Sequence, residues 1–138
     1  MTSFHGGCDA HTETLVLGHN TLGKVFGGYA MATWSSRDGS YATEATGNFL
    51  FQLGPGAAAT YPTRAPGPKL YQHRANGYWP IWGTDDLKFG WGGALGNNGY
   101  CNRLRTAGYT YEGFGQEVCG GNYNWGVTEM EVWYRVIE

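Results

Sequence analysis

The chain alternates apolar and polar residues over short stretches, and the three-to-four-residue period of an amphipathic helix is almost absent. The cleanest alternating stretch is VTEMEVWYRV (127–136), which is the pattern of a β-strand. NFLFQL (48–53) is a continuous apolar run, typical of a strand buried on both faces. We therefore predict that both are interior strands that supply core residues, namely Phe49, Phe51, Met130 and Val132.

Further short stretches have the length and composition of strands and are separated by turn residues at roughly ten-residue spacing. This spacing predicts an all-β fold, with two antiparallel sheets packed as a sandwich, long glycine-rich turns and helix below about 10%. The stretches are TETLVLG (12–18), GKVFGGYA (23–30), PKLYQH (68–73), YWPIWG (78–83) and LKFGWG (87–92).

Two glycine-rich or proline-rich segments interrupt this pattern. Gly27 and Gly28 lie in the middle of an apolar strand, where glycine adds no packing, so we expect a β-bulge or a close approach of the facing sheet. GPGAAATYPTRAPGP (54–68) holds four of the five prolines and predicts a long surface loop rather than a domain boundary.

Length and charge narrow the class of protein. The 138 residues are expected to form a single domain, 1–138, and 16% aromatic content argues against disorder. The net charge is −2 and the basic residues are scattered, which is not the footprint of a nucleic-acid-binding protein. The sequence contains no apolar run of about 18 residues, so no membrane-spanning helix is expected. The N-terminus lacks the charged and apolar regions of a signal peptide, so a signal peptide is either absent or was replaced by a start methionine in a mature form.

Candidate catalytic groups are sparse. His5, Cys8, Asp9 and His11 are close in sequence, but their spacing matches no standard structural zinc site. The adjacent pair Asp85-Asp86 would point to opposite faces of a strand, and a turn role suits Asp85 better. The chain has neither a nucleophile elbow nor a phosphate loop. We predict a protein that is not an enzyme and that uses no metal and no cofactor.

The three cysteines, Cys8, Cys101 and Cys119, leave two alternatives open. All three are buried thiols, or Cys101 and Cys119 form a disulfide while Cys8 stays free. The redox compartment remains open at this point, because disulfides persist mainly in oxidising environments.

Several motifs, taken in order, resemble the TLDc domain family. They are the N-terminal segment FHGGCDAH, the GKVFGGYAMATW segment, NFLFQL, the FGWGG turn and the C-terminal EMEVW strand, and they span Phe4 to Trp133. The chain is most similar to a short, stand-alone form found in secreted proteins of marine invertebrates, without the leading segment of the full domain. One departure is Ala94-Leu95, where the short form often carries a His-Asp pair.

The resemblance implies two facing antiparallel sheets, a Cys101–Cys119 disulfide and an extracellular setting. It also implies an alternative, because full TLDc domains act as intracellular protein-interaction adaptors in oxidative-stress protection and in binding the vacuolar proton pump. A structural component of an assembly is a third class.

Aromatic residues interleaved with asparagine suggest a recognition surface. Several tryptophans are expected in turns, namely Trp79, Trp82, Trp91 and Trp125. Their flat rings would stack on sugars while neighbouring amides form hydrogen bonds with the sugar hydroxyls, or the same rings would form contacts with a protein partner. We expect a non-catalytic binding module, with a lectin-like, secreted carbohydrate-binding protein as the leading form, able to form homo-oligomers. The predicted ligand-binding residues are Asp85, Trp91, Asn97, Asn98 and Tyr100.

Overall fold

The computed structural model contains eleven β-strands and very little helix. The strands are β1 (Thr14–Asn20), β2 (Val25–Ala30), β3 (Ser40–Ala42), β4 (Phe49–Gly54), β5 (Ala59–Pro62), β6 (Leu70–Gln72), β7 (Ile81–Trp82), β8 (Leu87–Trp91), β9 (Ala94–Cys101), β10 (Asn124–Trp125) and β11 (Val127–Tyr134). The structure describes residues 4–9, 11–31, 33–34, 40–42, 47–56, 58–62, 70–72, 80–83, 86–91, 94–101, 111, 113–121 and 124–137.

The strands form two sheets. One has five strands in the order β11-β1-β2-β4-β5, and the other has six in the order β10-β9-β8-β7-β6-β3. Every strand pair in the described part of the chain is antiparallel. The predicted all-β fold is therefore confirmed.

Helical structure in the described residues is limited to two short elements that flank the sheets. They are α1 (Phe4–Cys8) and a 3₁₀ helix (Gln116–Cys119). The ring of Phe4 meets Trp34 edge-on at 4.9 Å, and Asp9 forms an isolated bridge with Trp34. The Trp34 indole donates a buried hydrogen bond to Thr14 Oγ1 at 2.6 Å, which ties this corner to β1.

The core lies between the sheets and is built from alternate positions of each strand. In β1 the buried positions are Thr14, Val16, Gly18 and Asn20. Phe26 of β2 reaches across the sandwich, with its ring 5.8 Å from Phe89 and 4.9 Å from Trp125. Full burial of each large apolar side chain of this kind contributes roughly 1.5–3 kcal/mol.

The glycine pair in β2 is explained by aromatic rings on both faces of the strand. A Cβ on Gly28 would lie 2.5 Å from the Trp82 ring in the facing sheet. A Cβ on Gly27, which points to the opposite face, would meet the carbonyl oxygen of Val16 and lie 2.7 Å from the tip of Phe51. The expected close approach of the facing sheet is therefore present. A register shift lies next to the pair, between Val25 and Phe26.

The two strands predicted as interior have different positions. β4 lies between β2 and β5, as expected, whereas β11 is the edge of the five-stranded sheet, so its interior placement was wrong. Phe51 is buried, but Phe49, Met130 and Val132 are only half-buried. Met130 and Val132 pack against the core from the edge, and Leu50 takes the position facing the second sheet.

Two segments predicted as turns or loops contain strands. The proline-rich segment 54–68 includes β5, which pairs with β4 at the other edge of the sheet. Proline is tolerated there because an edge strand has one side without ladder partners. The FGWGG turn motif (89–93) includes the last residues of β8, and positions 92–93 separate β8 from β9 along the chain.

Cys101 and Cys119 form a disulfide, with their Cα atoms 6.3 Å apart. This pairing is the one that the family resemblance implies. Cys8 is unpaired and buried in α1. The disulfide links β9 to the 3₁₀ helix, and the Asn20 amide donates to the carbonyl oxygen of Cys119 at 2.7 Å. These contacts attach the 3₁₀ helix to both sheets.

Candidate functional site

A row of apolar residues crosses the outer face of the five-stranded sheet. Strand register aligns one residue from each strand, because Leu15 pairs with both Trp133 and Tyr29, Tyr29 pairs with Phe49, and Phe49 pairs with Pro62. We call this set the outer row: Trp133, Leu15, Tyr29, Phe49 and Pro62.

The outer row points away from the core because side chains alternate along a strand. Its neighbours in sequence, such as Val16 and Leu50, are buried between the sheets. Leu15, Tyr29 and Phe49 are half-buried, and the Trp133 side chain is 62% exposed. A second row, in which Phe51 lies over Gly27, adjoins it and supports Phe49 at a ring distance of 6.3 Å.

Ring stacking holds the middle of the outer row. The Tyr29 and Phe49 rings stack at 5.1 Å with an interplanar angle of 26°. Offset aromatic pairs of this kind contribute about 0.5–1.5 kcal/mol beyond their burial. This stacking fixes the relative orientation of the two rings at the middle of the row.

Polar groups border one end of the row. The Tyr29 hydroxyl donates to Glu13 Oε1 at 3.4 Å, and Arg135 donates to both carboxylate oxygens of Glu13 at 3.1 and 3.3 Å. The indole of Trp133 donates to Glu131 Oε2 at 3.0 Å. Burial, together with the nearby Glu13, raises the pKa of Tyr29 above its usual value. The neutral phenol acts here as a hydrogen-bond donor to Glu13.

The sequence-predicted ligand residues fall mainly on the other sheet. Trp91 lies at the end of β8, and Asn97, Asn98 and Tyr100 lie within β9 rather than in turns. Asp85 lies outside the described residues. The β8–β9 register shifts between Lys88 and Gly90, so the part of β9 that contains both asparagines is irregular. Whether these residues bind a ligand stays a prediction.

Two of the tryptophans expected in turns belong to the core instead. Trp82 is fully buried in β7, and Trp125 is buried in β10. Trp125 fits against Gly99, where a Cβ would collide with its ring. These two indoles therefore pack the sandwich interior and form no recognition surface, whereas Trp79 lies outside the described residues.

The histidine-rich N-terminal segment forms a structural contact. Nδ1 of His5 lies 2.7 Å from Asp9 Oδ1, one helical turn apart, and His11 stacks on Tyr134 at 3.9 Å. Burial and the neighbouring Asp9 raise the pKa of the Cys8 thiol to about 11, which is the opposite of nucleophile activation. No group of three or more potential metal ligands occurs among the described residues.

The family model of the TLDc domain matches residues 1–135. The chain belongs to the TLDc domain family. No curated protein matches it. Membership indicates a protein-interaction module. Within the described part of this TLDc domain, no helix is long and apolar enough to cross a membrane.

The outer row was not predicted from the sequence. The signal was present in TETLVLG, where Leu15, Val16 and Leu17 are all apolar, so that both faces of the strand carry apolar side chains. A one-sided strand would alternate instead. Only the strand register shows that these positions align with residues from four other strands.

Proposed function

We propose that this TLDc domain is a non-catalytic protein-binding module that docks its partner on the outer row. The observation that carries the proposal is the alignment of Trp133, Leu15, Tyr29 and Phe49 across adjacent strands on the face opposite the core. Trp133 is exposed and the other three are half-buried, so the row forms a continuous, partly exposed apolar surface, and such surface on a soluble domain commonly marks an interaction site.

The chemistry of the row suits a protein partner. Aromatic side chains provide large contact areas with few rotatable bonds, so little conformational entropy is lost on binding. The Tyr29 hydroxyl and the Glu13–Arg135 pair form a polar border. A buried apolar centre with a polar rim is the usual anatomy of protein interfaces.

Site-specific photocrosslinking tests the proposal. A benzophenone amino acid replaces Leu15 in one sample and the exposed Glu117, on the 3₁₀ helix, in a control. We expect a discrete adduct from position 15 in an extract of the source, displaced by excess unlabelled wild-type protein but not by Leu15→Glu. Equal labelling from both positions, or displacement by Leu15→Glu as effective as by wild type, would refute docking at this row.

In a second proposal, the module binds carbohydrate through the six-stranded sheet. It is supported by the sequence neighbourhood of Trp91, Asn97, Asn98 and Tyr100 on one hairpin, and by the irregular register of β9 there. Such irregularities often redirect side chains near binding sites. Binding of the wild type and of Trp91→Ala to a glycan array tests this proposal. Absence of any signal from the wild type would refute carbohydrate binding.

A secreted location is likewise proposed, supported by the Cys101–Cys119 disulfide. The alternatives are an intracellular adaptor and a structural component of an assembly. Thiol titration of protein taken from its native setting separates the first two. One reactive thiol after unfolding without reductant supports secretion, and three free thiols support the intracellular adaptor.

A further inference from the structure

The strand β11 has one side that no described strand pairs with, because it is the edge of the five-stranded sheet. The hydrogen-bond register identifies which backbone groups lie on that side. The Arg135 N–H donates to the Glu13 carbonyl of the adjoining chain segment at 3.2 Å, and bonded residues alternate along an antiparallel strand. Glu131 and Trp133 therefore direct their backbone groups towards β1, whereas those of Met130, Val132 and Tyr134 point away from the sheet.

Hydrogen bonds at the other end of β1 lead to the same directions for the backbone groups. The Asn20 N–H donates to the carbonyl of Lys24, which precedes β2, and the Thr21 N–H donates to the carbonyl of Gly126, which precedes β11. The backbone groups of β1 therefore point alternately to β2 and to β11 at both ends of the strand. Met130, Val132 and Tyr134 present a regular series of donors and acceptors at the edge.

We propose that a second copy of this chain pairs with the edge, antiparallel, with a two-fold axis at Val132. Val132 then lies opposite the partner's Val132, and Met130 lies opposite the partner's Tyr134. All of these residues have outward-directed backbone groups, so each pair forms two reciprocal hydrogen bonds. The result is one continuous sheet across two protomers, which is an isologous interface.

Charge and the overlap of the two strands together favour this register. It places Glu129 opposite the partner's Arg135, and Glu131 opposite the partner's Trp133, whose indole is a donor. An axis at Glu131 would place that carboxylate opposite its own copy, and an axis at Met130 would place Glu129 opposite the partner's Glu131. Like charges directly opposite each other in a sheet are destabilising. An axis at Trp133 would place Glu131 opposite the partner's Arg135, which is also favourable. It pairs only residues 132–134 of β11 with the same strand of the partner, whereas the axis at Val132 pairs residues 130–134.

The side chains support a self-association site. The described residues hold no ion-pair partner for Glu129. Arg135 contacts Glu13 and is 67% exposed, and its guanidinium has enough donors to bond a second carboxylate. Exposed apolar residues continue from the end of β11 into the residues that follow it. They are Trp133 and Tyr134, with Tyr134 48% exposed, then Val136 at 69% and Ile137 at 81% exposure.

Charge-reversal variants test the register. The dimer dissociation constant is measured by sedimentation for wild type, Glu129→Arg, Arg135→Glu and the double variant. We expect each single reversal to weaken the dimer roughly tenfold, because the symmetric interface loses two ion pairs and gains two repulsions, and the double variant to recover most of the affinity. Lys24→Glu, two strands away, makes the same charge change as Arg135→Glu and should leave the dimer intact.

Hydrogen exchange gives an independent measurement. Raising the protein concentration should slow exchange of the Met130, Val132 and Tyr134 amides, whereas the Glu131 and Trp133 amides should be protected at every concentration. Circular dichroism of each variant verifies folding.

A monomer at millimolar concentration overturns the proposal, and so does a dimer whose double variant shows no recovery. Recovery by Glu131→Arg with Arg135→Glu, but not by the Glu129 pair, overturns the register. None of these results depends on whether the outer row binds a partner protein.

Discussion

Replacing Gly28 by alanine adds one methyl group at the closest approach of the two sheets. The new Cβ would lie 2.5 Å from Trp82 Cε2 and 2.8 Å from two further ring atoms. Ordinary contacts between carbon atoms lie near 3.5–4.0 Å, so the ring would have to move by about 1 Å. Trp82 is fully buried, and its ring meets Trp34 at 5.4 Å and Phe89 at 6.2 Å, which leaves little room for movement.

Two opposing effects set the magnitude. Overpacking a well-packed core costs typically about 1–3 kcal/mol. Alanine in place of glycine stabilises a strand by roughly 0.5–1 kcal/mol through lower backbone entropy in the unfolded state. We therefore expect Gly28→Ala to lower the free energy of unfolding by about 1–2 kcal/mol.

Urea unfolding followed by circular dichroism measures the effect, and Gly7→Ala provides the matched control. A Cβ on Gly7 meets no atom within 4 Å, so this variant should gain roughly 0.5–1 kcal/mol from helix propensity in α1. The two variants should differ by about 2 kcal/mol, or roughly 6–10 °C in Tm.

A double-mutant cycle with Trp82→Phe isolates the contact, because the smaller ring should relieve most of the clash and give a favourable coupling of roughly 1 kcal/mol. Equal stabilities for Gly28→Ala and Gly7→Ala, or zero coupling in the cycle, would refute this explanation of the glycine pair.

Three further predictions concern stability and thiol chemistry. Phe51→Ala should cost roughly 3–5 kcal/mol in urea unfolding, because the ring is buried over Gly27; a loss below about 1 kcal/mol would contradict that placement. Reducing the Cys101–Cys119 disulfide should cost about 3 kcal/mol, since it closes a loop with a sequence separation of 18; an unchanged denaturation midpoint would argue against it. The pKa of Cys8 is raised from 9.0 to about 11, so its stabilising contribution is complete below pH 9 and disappears as the pH rises through about 11. Wild type should therefore lose stability in that window relative to Cys8→Ala.

Local patterns in the sequence were sufficient for the fold class. Period-two alternation, turn residues and the absence of a helical period predicted an all-β domain, which the two sheets confirm. The interior strand β4 was recognised from its continuous apolar run. The unusual Gly27-Gly28 pair pointed to close sheet packing, because glycine is chosen in a strand where a Cβ does not fit.

The same patterns misplaced other elements for a physical reason. The alternation of apolar and polar residues in 127–136 indicates that one face of the strand is more apolar than the other. It does not indicate whether the strand pairs with one neighbouring strand or with two. β11 is therefore an edge, with Met130 and Val132 half-buried. Trp82 and Trp125 were assigned to turns because glycine and asparagine flank them, yet the facing sheet buries both.

The candidate site depends most on tertiary structure. Leu15, Tyr29, Phe49 and Trp133 are distant in sequence, and each alone is an ordinary strand residue. Hydrogen-bond register brings them into one row. The sequence by itself determined the fold class, the strands with clear alternation or a continuous apolar run, the role of the glycine pair and the family, because these depend on local residue preferences and motifs. Only the tertiary structure decided which strand is an edge and which face is outside, because strand order and register arise from contacts between segments far apart in the chain.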